Sequence, residues 1–255
     1  MFLNSPSSSR GEWRFHLFDV FVRVHPWFWF TTLFMAGSSD VATVLIWVAV
    51  CFVSILLHEL GHVVAFRAFG MPADVMLYGF GGLATPRYSR RTGTFADTMI
   101  SLAGPFAGFC LGALTAGIAI IIGAKLHFTV HYLVIPSVTA LINQAFTDES
   151  GAMRGYYISL VLNDLLFVNI FWGLVNLLPI YPLDGGQAAR ALFTGHDPLR
   201  GRRRSLIISV VAAVGMAIVG LLTRSLYMVA LFGILAAGSA QALEAEPKVF
   251  RVRQS

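Results

Sequence analysis

The sequence predicts an all-α polytopic membrane protein of about six transmembrane helices, with a small membrane-associated β-hairpin or sheet. Three observations predict it. The 255 residues are 56% hydrophobic and 12% charged, with a mean hydropathy of +0.72, too apolar for a soluble domain of this size. Several stretches reach the roughly 20 apolar residues that a helix needs to cross a bilayer. The basic residues also divide between loops in the way that orients a chain in a membrane. The expected organisation is a single integral membrane domain, 1–255, with a core near 14–190 and a C-terminal helical pair near 205–243.

The start, MFLNSPSSSRGEWRF, is polar and lacks the apolar core of a cleavable signal peptide. RFHLFDVFVRV (14–24) alternates in part and reads as strand. Six candidate spans follow, near 26–38, 41–69, 96–124, 156–180, 205–222 and 226–243, the first of them short. Between the second and third lies ADVMLYGFGGLATPRY (73–88), which reads as a glycine-containing hairpin. VHYLVIPSVTALINQAF (130–146) is shorter than a span and carries Pro136, so it is expected to be interfacial or re-entrant. In the third span Gly104, Gly108 and Gly112 have GxxxG spacing, a pattern of tight helix packing. Cys51 and Cys110 lie in spans, form no CxxC pair and read as packing residues.

A net charge of +5 could suggest a nucleic-acid partner, but its distribution has a simpler cause. Arg10, Arg14 and Arg23 precede the first span, and Arg67, Arg87, Arg90 and Arg91 end or follow the second. Arg190, Arg200, Arg202, Arg203 and Arg204 follow the fourth, and Lys248, Arg251 and Arg253 follow the sixth. Only Lys125, Arg154 and Arg224 of the 18 basic residues fall on the other side. The positive-inside rule then predicts a multi-pass protein of the cell (plasma) membrane with both termini cytoplasmic. RGRRR (200–204) reads as a topogenic loop, and no nucleic-acid partner is expected.

HELGH (58–62) interrupts the second span. At positions i and i+4 of a helix, His58 and His62 share a face and can share one cation, with Glu59 beside that face. Neutral imidazole suits zinc, and a carboxylate outside the ligand set can take a proton from an activated water. In a soluble chain, two histidines and a glutamate satisfying one another would be a strong competing reading. Inside a span it is weaker, because intramembrane ionisable groups are rare and usually functional.

Two histidines leave zinc short of protein ligands. His62 and His58 lie eight and twelve residues before Gly70, roughly 12 and 18 Å below the cytoplasmic face at 1.5 Å per residue. The fourth span runs toward the same side and ends in NLLPIYPLDGG (176–186). Pro179 and Pro182 break that helix, so the chain can turn back and present Asp184, while Gly185 and Gly186 permit close backbone approach. His127 and His131 fall on the opposite side, and Asp164 reads as a helix-packing polar group in mid-span. Asp184 is the candidate third ligand.

HELGH in one span with NLLPIYPLDGG ending a later one resembles the site-2 protease family of intramembrane zinc metalloproteases. Its HExxH and Asn-x-x-Pro…Asp-Gly motifs are both intact here. SLAGP (101–105) and VRVHPWFWF (22–30) resemble the family as well, and the likeness covers about residues 14 to 190. The resemblance implies one zinc per chain on His58, His62 and Asp184, with Glu59 as catalytic acid–base. It places Asn176 in substrate binding or transition-state hydrogen bonding. It further implies a membrane-anchored protein substrate, cut near the cytoplasmic side of the lipid bilayer, and leaves a regulatory membrane partner open. No stretch is expected to form the PDZ-like or CBS-like domains that some relatives carry.

The two strand-like stretches could hold an unwound substrate by strand addition, or form a hairpin that only fills the core. An inactive zinc-binding membrane adaptor would need a defect in a catalytic residue, and none is visible. An ion or metal transporter should show inverted repeats or several broken helices. Topology provides the first test. Cysteines introduced near residues 89, 199 and 249 should react only with reagent on the cytoplasmic side, and one near 149 only from outside; cytoplasmic labelling at 149 would invert the fourth span and remove Asp184 from the histidines' side.

Overall fold

The computed structural model describes residues 11–79, 81–88, 92–131, 135–142, 149–198 and 200–246. Of the basic residues used above, Arg10, Arg90, Arg91, Lys248, Arg251 and Arg253 lie outside these. The chain divides into two compact units, residues 1–90 with 103–174 and residues 91–102 with 175–255. Among the described residues five helices have the length and composition to cross a membrane: Val41–Ala68, Thr94–Ile121, Gly155–Asn176, Gly201–Leu222 and Leu226–Ala245. The expected span at 26–38 instead forms a ten-residue helix, α1 (Pro26–Met35), about 15 Å long and too short to cross alone. Its stop is local: Gly37 adopts φ +60°, and Asp40 caps a new helix.

In the first unit a four-stranded sheet forms from β1 (Trp13–Leu17), β2 (Val20–Val24), β3 (Ala73–Tyr78) and β4 (Gly81–Pro86), in that spatial order. Both strand-like stretches of the sequence are therefore in one sheet. β1 and β2 pair antiparallel, as do β3 and β4, while β2 and β3 are parallel with Val22 opposite Val75. Parallel neighbours need a long crossover, and here it consists of α1 and α2 (Val41–Ala68). The two hairpins consequently share one end of α2.

Alternation explains the sheet's buried face. Val20, Val22 and Val24 of β2 and Ala73, Val75 and Leu77 of β3 point inward at period two. They pack on Leu56 and Val63 of α2 and Phe28 of α1. Trp29 stacks on Phe52, ring centroids 5.5 Å apart, and Trp47 Nε1 donates to Thr32 O at 3.1 Å, fixing α1 along α2. Asp40 accepts from the Thr43 amide (2.8 Å) and hydroxyl (2.7 Å) at the start of α2, and these bonds hold its carboxyl below the ordinary value. At the other end Gly70 (φ +78°) closes a Schellman motif, with Met71 N donating to Phe66 O and Gly70 N to Arg67 O, both at 2.9 Å. α2 thus turns directly into β3.

α3 (Thr94–Ile121) begins in the second unit and continues in the first. It is followed by the antiparallel pair β5 (Ala124–His131) and β6 (Ile135–Ile142), then α4 (Glu149–Leu166), a π-helical turn (Phe167–Phe171) and α5 (Trp172–Asn176). β5 and β6 pair in antiparallel register, with Ala124 opposite Ile142 and His131 opposite Ile135. Of the stretch 130–146 expected to be interfacial or re-entrant, residues 132–134 and 143–146 lie outside the described residues.

In the second unit α6 (Asp184–His196) precedes the hairpin of α7 (Gly201–Leu222) and α8 (Leu226–Ala245). Arg224 takes the left-handed conformation (φ +54°) with Ser225 N donating to Gly220 O at 2.9 Å. Ser225 then caps α8 by accepting from Met228 N.

One ion pair locks the sheet's outer corner. Arg87 donates to Asp74 (2.7 Å) and to Asp19 O (2.9 Å), and Phe21 N also donates to Asp74. Burial opposes ionisation of Asp74, but the bonds from Arg87 and Phe21 outweigh it and hold the carboxyl below its ordinary value. A lowered folded pKa gives stabilisation that is full above the unfolded value of about 4 and is lost as pH falls through the folded one. Arg87→Ala should weaken this acid-side dependence, leaving the part that comes from the Phe21 amide, with only a small loss of stability because the pair is partly exposed; pH-dependent melting of the detergent-solubilised protein reads both effects.

Candidate metal centre

HELGH lies in the second half of α2, and the helix does what the spacing requires. His58 Nε2 and His62 Nε2 converge to 3.3 Å, with ring centroids 5.0 Å apart and planes at 77°. Two ligand nitrogens held 2.0–2.1 Å from one tetrahedral ion lie about 3.3 Å apart, so the imidazole pair has the separation a shared zinc needs. His62 and the neighbouring Glu59 are buried, and His58 is partly exposed.

Space around these side chains comes from two glycines. A Cβ on Gly104 of α3 would overlap His62 Nε2 and come within 2.7 Å of His58 Nε2. Any side chain there would fill the space that both nitrogens face. A Cβ on Gly82 of β4 would overlap Glu59 Cγ and come within 2.7 Å of its Oε1. The Glu59 carboxylate therefore lies against the bare backbone of an edge strand. Gly108 and Gly112 behave as the GxxxG spacing predicts, facing Asn169 and Ile170 of the π turn. Gly104, read from sequence with those two, faces the histidines.

Asn169 is a buried polar residue that sequence reasoning missed. Its amide donates to Ser54 Oγ at 2.9 Å and to Leu165 O at 2.8 Å. Ser54 is one helical turn before His58, so this bond ties the π turn to α2 beside the histidine pair. An asparagine inside a membrane span was the available signal.

Asp184 and Asn176 belong to the second unit. Asn176 ends α5, and Asp184 opens α6 after the 177–183 break. There a carboxylate lies in the favourable field of a helix N-terminus.

Peptidase family M50 matches residues 46–218, two-thirds of the sequence, from within α2 to within α7. The chain belongs to peptidase family M50. A Methanocaldococcus jannaschii protein named as a zinc metalloprotease is 24% identical over 220 residues, covering 84% of this chain and 55% of that one. Rip3 of Mycobacterium tuberculosis is 30% identical over 172 residues, covering 64% of this chain and 37% of Rip3. This M50 chain thus spans about half the length of the first relative and about a third of the second. Its fold matches that of the site-2 protease from M. jannaschii with a TM-score of 0.57 at 20% identity, over 92% of this chain and 97% of that one.

The Gly104 geometry generates a sharp expectation. Gly104→Ala should abolish stoichiometric zinc in the purified protein, whereas Gly108→Ala, whose Cβ would meet nothing closer than 3.6 Å, should retain it. Metal analysis of both variants, with folding checked by thermal melting, provides the comparison.

Proposed function

We propose that the chain is an intramembrane zinc metalloprotease that hydrolyses peptide bonds of membrane-spanning proteins near the cytoplasmic side. The observation that carries this reading is the convergence of His58 and His62 at a zinc-compatible separation beside a buried Glu59. Membership of M50 supports it. Asp184 completes the ligand set in this proposal, supplying the oxygen ligand that the two imidazoles lack.

Zinc, when bound, supplies Lewis acidity to the attacking water and the scissile carbonyl. Glu59 accepts the proton released by that water and delivers it to the departing amine, the work of a general acid–base. Its position against Gly82 relates this proton transfer to the sheet. β4 is at the edge, paired with β3 on one side. A substrate segment unwound from its helix and added along β4 in extended form would run past the Glu59 carboxylate. This favours strand addition over a hairpin that merely fills the core. Asn176 serves the same substrate as a hydrogen-bond donor, in binding or at the transition state.

The membrane-anchored substrate is recognised by the membrane domain itself or through a regulatory membrane partner. Both termini are cytoplasmic in this reading, because the basic loops gather there. An intact Glu59 argues against a zinc-binding adaptor without activity.

Glu59→Gln should keep zinc and fold but lose cleavage of a co-expressed membrane substrate by about 10²–10⁴-fold, the usual worth of a general base. Asp184→Asn should lower zinc affinity as well as activity. Wild-type turnover in Glu59→Gln would assign the proton transfer to another group.

A further inference from the structure

We infer that Ser209 of α7 and Ser239 of α8 are positioning residues for Asp184, making the C-terminal helical pair part of the metal-holding machinery. The inference rests on the proposed role of Asp184 as third ligand. Its physical basis is one peptide segment. Tyr181 N donates to Ser209 Oγ at 3.1 Å, and Ser239 Oγ donates to Tyr181 O at 2.9 Å. Ser209 Oγ also donates to Ser205 O at 2.9 Å, which commits its proton and turns a lone pair toward the Tyr181 amide. Ser209 and Ser239 are 1% and 0% exposed. No water replaces these partners in an apolar surround, so each bond fixes the backbone it meets.

The fixed residue lies three positions before Asp184, and the chain between them is tightly determined. Leu183 N donates to Ile180 O at 2.7 Å, and Gln187 N to Leu183 O at 3.0 Å, carrying the turn into α6. A Cβ on Gly185 would overlap Leu177 O, and one on Gly186 would overlap the Ile180 carbonyl carbon. The first turn of α6 therefore closes directly on 177–181. Arg190 lies over the Tyr181 ring, 5.8 Å from its centroid. Displacement at Tyr181 has no slack in which to dissipate before residue 184. If small size alone mattered at 209 and 239, alanine would serve equally well; the geometry uses the hydroxyls, one as acceptor and one as donor.

Zinc affinity of the purified protein, measured by competition with a chelator, tests this. Ser209→Ala with Ser239→Ala should weaken zinc binding at least tenfold, while Ser205→Ala, which removes a hydroxyl bonded to Arg202 O, should leave it unchanged. In an Asp184→Ala background the two serine substitutions should change zinc affinity no further, because they act through that carboxylate. An equal further loss in that background would show a general structural role and overturn the inference. Wild-type affinity in the serine variant, with Asp184→Ala weakened, would also overturn it while leaving the ligand assignment intact. Unchanged zinc binding in Asp184→Ala itself would instead overturn the ligand assignment. Should the paired variant fail to fold, Ser239→Ala alone, which keeps the Tyr181 amide bonded, carries the same cycle with a smaller expected loss.

Discussion

A polar group held among apolar helices has no water to turn to, so its partner must be built into the chain. Much of what is distinctive here answers that constraint. Asn169 is bonded to Ser54 and Leu165, Thr31 donates to the carbonyl of Gly79, and the peptide groups of Tyr181 meet two serines. The histidine pair follows the same logic, and in the proposed reading a shared cation answers it.

The same elements also need room. Close approach comes from glycines whose absent side chains are occupied by something specific: imidazole at Gly104, carboxylate at Gly82, carbonyls at Gly185 and Gly186. In an interior this dense, a missing methyl is a shape. Glycines in one motif-like run can accordingly have different duties, as Gly104 and its neighbours Gly108 and Gly112 do.

Much of this was legible beforehand. Hydropathy located the five long helices, partial alternation at 14–24 and the glycine-containing hairpin at 73–88 located the two stretches that form the sheet, and the i, i+4 spacing of His58 and His62 predicted their shared face. Other features depended on three-dimensional neighbours that no local pattern encodes. The short α1 looked like a span because its apolar run continues to residue 38, whereas Gly37 and the Asp40 cap decide where helices stop and start. The π turn has no composition of its own and emerges from where Asn169 finds its partners. Ser209 and Ser239 read as ordinary small residues in apolar helices until the Tyr181 backbone is seen between them.

The parallel pairing of β2 with β3 has a consequence for the order of assembly. Val22 must wait for Val75, 53 positions later, with two helices to be made in between. At usual elongation rates of about 5–20 residues per second this is on the order of 3–10 s. During that interval the N-terminal hairpin has an apolar face and an open strand edge, before α2 and β3 arrive to cover them. The β1–β2 hairpin is therefore completed only after a full transmembrane helix has followed it, so insertion of α2 sets the earliest moment at which the sheet can close.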